Sequence, residues 1–186
     1  VGGTATFNAN IAAAAFSAAN TVASINLKGA SNTFSGAASF ANDGTLTIGD
    51  ASSDSFAFNG GLTTSSVAGT VTLNASSISS SNDAIVFGAV TLGSNVTIDT
   101  NATNTTGDIT IGAVTGGSNT LTLSTGNNIA NSDITASGAI SGVTTLTLID
   151  VGGTASFSSN VVVTTLTVGN TVANVAFTGN GTVTNA

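Results

Sequence analysis

Leu46, Val71, Val96, Leu121 and Leu146 recur at a constant 25-residue spacing, and each sits in a short run that alternates polar and apolar residues. The runs are Thr45-Leu46-Thr47-Ile48, Thr70-Val71-Thr72-Leu73, Asn95-Val96-Thr97-Ile98, Thr120-Leu121-Thr122-Leu123 and Thr145-Leu146-Thr147-Leu148. A period of two in Thr, Val, Ile and Leu places one set of side chains on each side of an extended strand. A fixed longer period is the mark of a repeat architecture. Gly, Asn, Ser and Asp separate the runs and suit tight corners. The pattern therefore predicts an all-β chain folded as a parallel β-helix, or β-solenoid, with about 25 residues per coil and about 7 coils. Successive coils then hydrogen-bond along the solenoid axis, roughly 4.8 Å apart. Leu46, Val71, Val96, Leu121 and Leu146 form the expected core column.

A second repeat lies above the first. Residues 1–30 align without gaps to residues 151–180, an offset of six 25-residue periods. Val1, Gly2, Gly3, Thr4, Ala5, Phe7, Asn10, Asn20, Thr21, Val22, Ala23 and Gly29 are identical in the two copies. The run Ala12–Ala15 favours helix by local propensity, but its copy is Val162-Val163-Thr164-Thr165, so strand is expected in both. Neither copy has the polar character of a solenoid cap. Residues 1–186 are accordingly expected to be a single solenoid segment, part of a longer repeat array or a subunit that stacks end to end.

Composition narrows the chemistry. The chain has 186 residues, no Pro, Cys or His, one Lys+Arg, eight Asp+Glu and a net charge of -7. Without Pro, every strand can be paired on both sides. Without Cys or His, thiol chemistry, disulfides and the usual transition-metal ligands are excluded. Lys28, the lone cation, cannot neutralise a phosphate backbone, so no nucleic-acid partner is expected. No apolar stretch reaches transmembrane length, and no membrane insertion is expected. Ser, Thr, Asn and Gly make up about half the chain, yet its mean hydropathy of +0.44 and 5% charged residues oppose disorder.

Among individual residues, Thr45, Thr47, Thr70, Thr72, Thr97, Thr120, Thr122, Thr145 and Thr147 are expected to form a surface ladder on the 25-residue register, with Asn95 interrupting it. Such Thr-X-Thr files resemble those of solenoid antifreeze proteins, where regular hydroxyl spacing orders water. The alternative is that Thr is simply a soluble outward residue of strands. Asp50 and Asp54 share one loop and could share a Ca²⁺, or act as turn caps. The nonapeptide of calcium β-rolls is absent, and no metal or cofactor is expected. Asn-X-Ser/Thr triplets at Asn74, Asn95, Asn101, Asn104 and Asn180 are what chance gives in this composition. The nine Phe residues are read as core stacks, and Asn20, Asn128, Asn170 and Asn180 as internal amide ladders. Ser and Thr lack any base beyond Asp to activate them, so the chain is expected not to be an enzyme.

The motifs Gly-Gly-Thr-Ala-Thr-Phe-Asn-Ala-Asn (2–10), Leu-Thr-Val-Gly-Asn (166–170) and Val-Ala-Phe-Thr-Gly-Asn-Gly-Thr-Val (175–183) resemble the strand repeats of large bacterial surface and secreted proteins. These include autotransporter passengers of the rickettsial outer membrane protein B type and filamentous-haemagglutinin-like adhesins. The resemblance implies a right-handed β-helix at the bacterial cell surface, with an adhesive or structural role. With the two uncapped copies, self-association end to end or side by side is expected, and the adhesive role carries the expectation of a glycan or protein receptor. The second expectation is a ligand-binding solenoid whose Thr ladder takes ice or glycan.

Overall fold

The computed structural model describes residues 2–103, 107–126 and 129–183, and contains no helix among them. Short parallel strands wind into a β-solenoid of about 8 turns, roughly 22 residues apart. The first coil carries β1 (Thr4–Phe7), β2 (Ala12–Ala13) and β3 (Phe16–Ala18). The second carries β4 (Ser24–Leu27), β5 (Ser31–Phe34) and β6 (Ala38–Phe40). The third carries β7 (Leu46–Ile48), β8 (Ser55–Phe58) and β9 (Leu62–Thr63). The fourth carries β10 (Val71–Leu73), β11 (Ser77–Ser79) and β12 (Ile85–Val86). The fifth carries β13 (Val90–Leu92), β14 (Val96–Asp99) and β15 (Ile109–Ile111). The sixth carries β16 (Val114–Thr115), β17 (Leu121–Ser124) and β18 (Ile134–Ala136). In the seventh, one long strand, β19 (Ile140–Ile149), covers two faces before β20 (Thr154–Phe157). The eighth repeats this with β21 (Val161–Val168) and β22 (Asn174–Phe177), and β23 (Gly181–Val183) follows.

Each coil thus places one strand, or half of a long one, on each of three faces. The first face runs β1, β4, β7, β10, β13, β16, the start of β19, the start of β21, then β23. The second runs β2, β5, β8, β11, β14, β17 and the later halves of β19 and β21. The third runs β3, β6, β9, β12, β15, β18, β20, β22. Alternation within each strand turns its aliphatic and Phe residues inward. Leu27, Phe34, Phe40, Leu46, Ile48, Phe58, Leu73, Ile98, Leu121 and Leu148 are all fully buried. Full burial of one such side chain contributes about 1.5–3 kcal/mol. Like residues stack on like: the rings of Phe34 and Phe58 lie 4.8 Å apart with an interplanar angle of 12°, and those of Phe16 and Phe40 lie 5.0 Å apart. The Ala-rich run is strand, as its copy implied, because Ala12↔Thr33, Ala13↔Phe34 and Phe16↔Ala38 pair it to the second coil.

Three expectations need correction. Coils number about eight and average roughly 22 residues, where the repeat predicts seven longer ones. The core column is two columns. Leu46 pairs with Val71 on the first face, but Val71 then pairs with Val90. Val96, Leu121 and Leu146 pair with one another on the second face. The physical reason is an arithmetic coincidence: the fourth coil is short, and a short coil plus one step between faces has the same length as one long coil. Finally, Asn20, Asn170 and Asn180 are exposed at corners rather than laddered inside, and Asn128, like Asn104, lies outside the described residues. Among the described residues the buried amides are Asn32 and Asn42. Asn42 Nδ2 donates to the carbonyls of Gly44 and Thr45, both at 3.0 Å, which satisfies a corner from within.

Corner geometry explains the glycine content at one position especially. Gly49 has φ +88°, and an added Cβ would collide with the Asn74 carbonyl of the next coil. No larger residue fits between coils packed this closely. For the core, Val96 is 2% exposed with no cation beside its column. Val96→Asp should destabilise the fold by about 3 kcal/mol or more, because a carboxylate would be buried without a partner. Urea titration followed by circular dichroism checks this, and an unchanged midpoint would contradict the placement.

Candidate functional surfaces

Outward positions stack by the same register that aligns the core. On the first face, Thr47↔Thr72↔Thr91↔Thr115↔Ser141 form one continuous hydroxyl file. Beside it, Thr45 and Thr70 precede Leu46 and Val71, and the file then continues as Ala89, Ala113 and Ala139. The loss of bulk leaves a shallow recess of about 360 Å³ lined by Gly69, Thr70, Ala89, Thr91, Ala113 and Thr115. On the second face, Ser77↔Thr97↔Thr122↔Thr147↔Thr167 form another file. Its companion row is Asn95, Thr120, Thr145 and Thr165, with Thr145 paired to Thr165. Asn95 is built into this row, because its Oδ1 accepts the Thr120 N–H at 2.9 Å.

The expected single ladder is therefore divided. Thr45, Thr47, Thr70 and Thr72 share the first face; Thr97, Thr120, Thr122, Thr145 and Thr147 share the second. Thr91, Thr115, Thr165 and Thr167 extend the files and were not singled out by the 25-residue spacing. A signal for Thr91 existed: Val71-Thr72-Leu73 and Val90-Thr91-Leu92 are the same tripeptide and pair residue for residue. On the second face, Thr-X-Thr recurs in three successive coils, at Thr120/Thr122, Thr145/Thr147 and Thr165/Thr167. The lattice is about 4.8 Å between coils and about 6.8 Å along the strand.

Other hydroxyls are structural. At the corner between the second and third faces, Thr100 Oγ1 donates to the Thr125 carbonyl at 3.2 Å, and Thr125 Oγ1 donates to the Asp150 carbonyl at 2.9 Å. Ser80 Oγ donates to the Thr100 carbonyl at 3.3 Å. Ser80, Thr100 and Thr125 are all buried; Thr125 ties its corner to the next coil, whereas Ser80 and Thr100 lie closest to the Asp83 and Gly107 carbonyls of their own corners, both at 2.5 Å.

The carboxylates are also engaged locally. Asp54 Oδ2 accepts the N–H groups of Asp50 and Ala51 at 2.9 and 3.0 Å, capping the loop in which both Asp residues lie. Asp50 lies 3.9 Å from Lys28 in an exposed pair, which contributes at most about 1 kcal/mol. Asp108 Oδ1 accepts the Asp133 N–H, and Asp133 Oδ1 accepts the Thr154 N–H, at 2.9 and 2.6 Å. Among the described residues no three acidic side chains gather into a group that could hold a metal ion.

No protein-family model, no curated protein and no solved structure matches the chain.

Inner and outer Thr should respond differently to loss of the hydroxyl. Thr125→Val removes the buried hydroxyl that donates to the half-buried Asp150 carbonyl and should cost about 1–3 kcal/mol. Thr122→Val changes an outward file and should stay within about 0.5 kcal/mol. Equal effects in chemical denaturation would contradict the assignment of the two files.

Proposed function

We propose that the chain is a non-enzymatic structural element of an extracellular assembly at a bacterial surface: a stalk, fibre or coat rod. The observation that supports this is the uninterrupted pairing of coil on coil along all three faces. Eight coils at about 4.8 Å make a spacer of roughly 38 Å. Its one continuous core resists bending, since any bend opens hydrogen bonds on the convex side. The carboxylates are held in corner caps and strand ends rather than converging on a cleft, and with no His or Arg available this favours a mechanical over a chemical role. Self-association, end to end or side by side, belongs to the same proposal, as does display of its flat hydroxyl faces to a glycan or protein receptor. Immunogold labelling of thin sections of producing cells with an antibody to the solenoid tests it. Label on the outer surface supports the reading; label confined to the cytoplasm contradicts it.

The second face supports a second reading. Its three successive Thr-X-Thr rows place hydroxyl and methyl groups on a regular lattice that could order water at an ice surface. A freezing-point hysteresis that Thr147→Tyr abolishes would support this reading, and the absence of hysteresis in millimolar wild-type protein would dismiss it.

A further inference from the structure

Among the described residues, one inward column of the third face has a single polar member. Ser39 pairs with Thr63 and Thr63 with Val86, so the residues that follow them, Phe40, Thr64 and Phe87, stack on one another. The column runs on through Ile111, Ala136, Phe157 and Phe177. Thr64 is 1% exposed between two buried Phe residues, and its Oγ1 has no hydrogen-bond partner in the protein. Val would occupy the same space without a polar atom. A buried hydroxyl left unpaired loses its hydration for nothing, and native structures rarely leave one so.

A second orphan lies beside it. Among the described residues the buried side-chain atoms without a partner are Asn42 Oδ1, Thr64 Oγ1 and, at a different corner, Ser132 Oγ. Asn42 belongs to the corner 41–45, and Thr64 opens the corner 64–70 of the next coil. The Asn42 carbonyl accepts the Ala68 N–H at 3.0 Å, and the Thr64 carbonyl accepts the Val67 N–H at 3.0 Å. These two bonds place both orphans at one turn. Asn42 Nδ2 already donates to the carbonyls of Ala23, Gly44 and Thr45, which fixes the amide's orientation and leaves Oδ1 as the free acceptor. Val67 closes the turn and packs against the core. The corner 64–70 has seven residues, whereas 41–45 has five and 87–89 has three. Its extra length arches it outward between shorter corners and gives depth beneath Val67.

We infer that this arch encloses one water molecule, which accepts the Thr64 Oγ1 proton and donates to Asn42 Oδ1. Each orphan then gains the partner it lacks, and two such contacts are enough to hold a water in a protein interior. The chemistry selects water over a cation. The pair offers one amide oxygen and one hydroxyl, and Asp43, the carboxylate next to Asn42, is exposed, whereas Ca²⁺ takes about six or more oxygens with carboxylates among them. The site gives Thr64 a role that Val could not fill: it anchors the arch to the core through the water. Gly69 and Thr70, at the far end of the same arch, line the recess on the first face. The enclosed water therefore fixes the ledge of that recess from within.

The sign of one substitution tests this. Thr64→Val removes the hydroxyl and keeps the volume. If the hydroxyl holds a water, its loss strands that water and the urea midpoint of the 186-residue chain falls. If the hydroxyl is dry, its removal relieves a buried polar group and the midpoint rises. A fall is expected. A high-resolution crystal structure of the unsubstituted chain reads the site directly and does not depend on the variant folding. One solvent peak within about 3.2 Å of both Thr64 Oγ1 and Asn42 Oδ1 is expected, retained in Thr64→Ser and absent from Thr64→Val. A midpoint that holds or rises in Thr64→Val, a direct hydrogen bond between Thr64 and Asn42, or a corner without that peak would overturn the proposal.

Discussion

Backbone hydrogen bonding between successive coils governs the rest of the structure. Each strand presents its N–H and C=O groups along the rod axis, so a coil is satisfied only when another lies above and below it. Register follows from this. A slip of one residue would turn every inward Leu, Ile, Val and Phe outward, and the buried rows hold the strands in place. The same constraint excludes Pro and limits charge, since like charges would stack on one another from coil to coil.

With the strands so constrained, length variation collects in the corners. Steps between paired strands of the first face range from Val71↔Val90 to Val114↔Ile140. Corners absorb the difference with positive-φ residues such as Gly49, Asn82, Asn131 and Asp150, and with buried groups that replace missing backbone partners. The Ser80, Thr100 and Thr125 hydroxyls and the Asn42 amide act in this way. They rigidify the corners without contributing to any surface, which is why the Thr content of the chain overstates its outward display.

This division explains what could be read from the sequence. Strand alternation, the solenoid class, the Phe stacks and the strand nature of the Ala-rich run were legible, because each depends on a local pattern or on comparison of the two copies. The coil length was not. Leu46 to Val71 is one coil on one face; Val71 to Val96 is a short coil plus a step to the next face. The two intervals are equal in sequence, and only the three-dimensional register separates them. The surface ladder inherited the same ambiguity, so residues placed in one file fall on two. The internal role of Thr100 and Thr125 had no local signal, since an inward and an outward Thr look alike in sequence.

Because the chain has no Cys, engineered disulfides can read the register directly. Thr72→Cys with Thr91→Cys places two thiols on directly paired residues of adjacent coils, within the roughly 4.4–6.8 Å Cα separation that a disulfide accepts. Thr72→Cys with Thr97→Cys keeps the 25-residue spacing but puts the thiols on different faces. The account predicts rapid, near-complete intramolecular oxidation of the first pair and none of the second under mild oxidant. Oxidation of the second pair in preference to the first would contradict the three-faced solenoid, whose coils are roughly 22 residues apart.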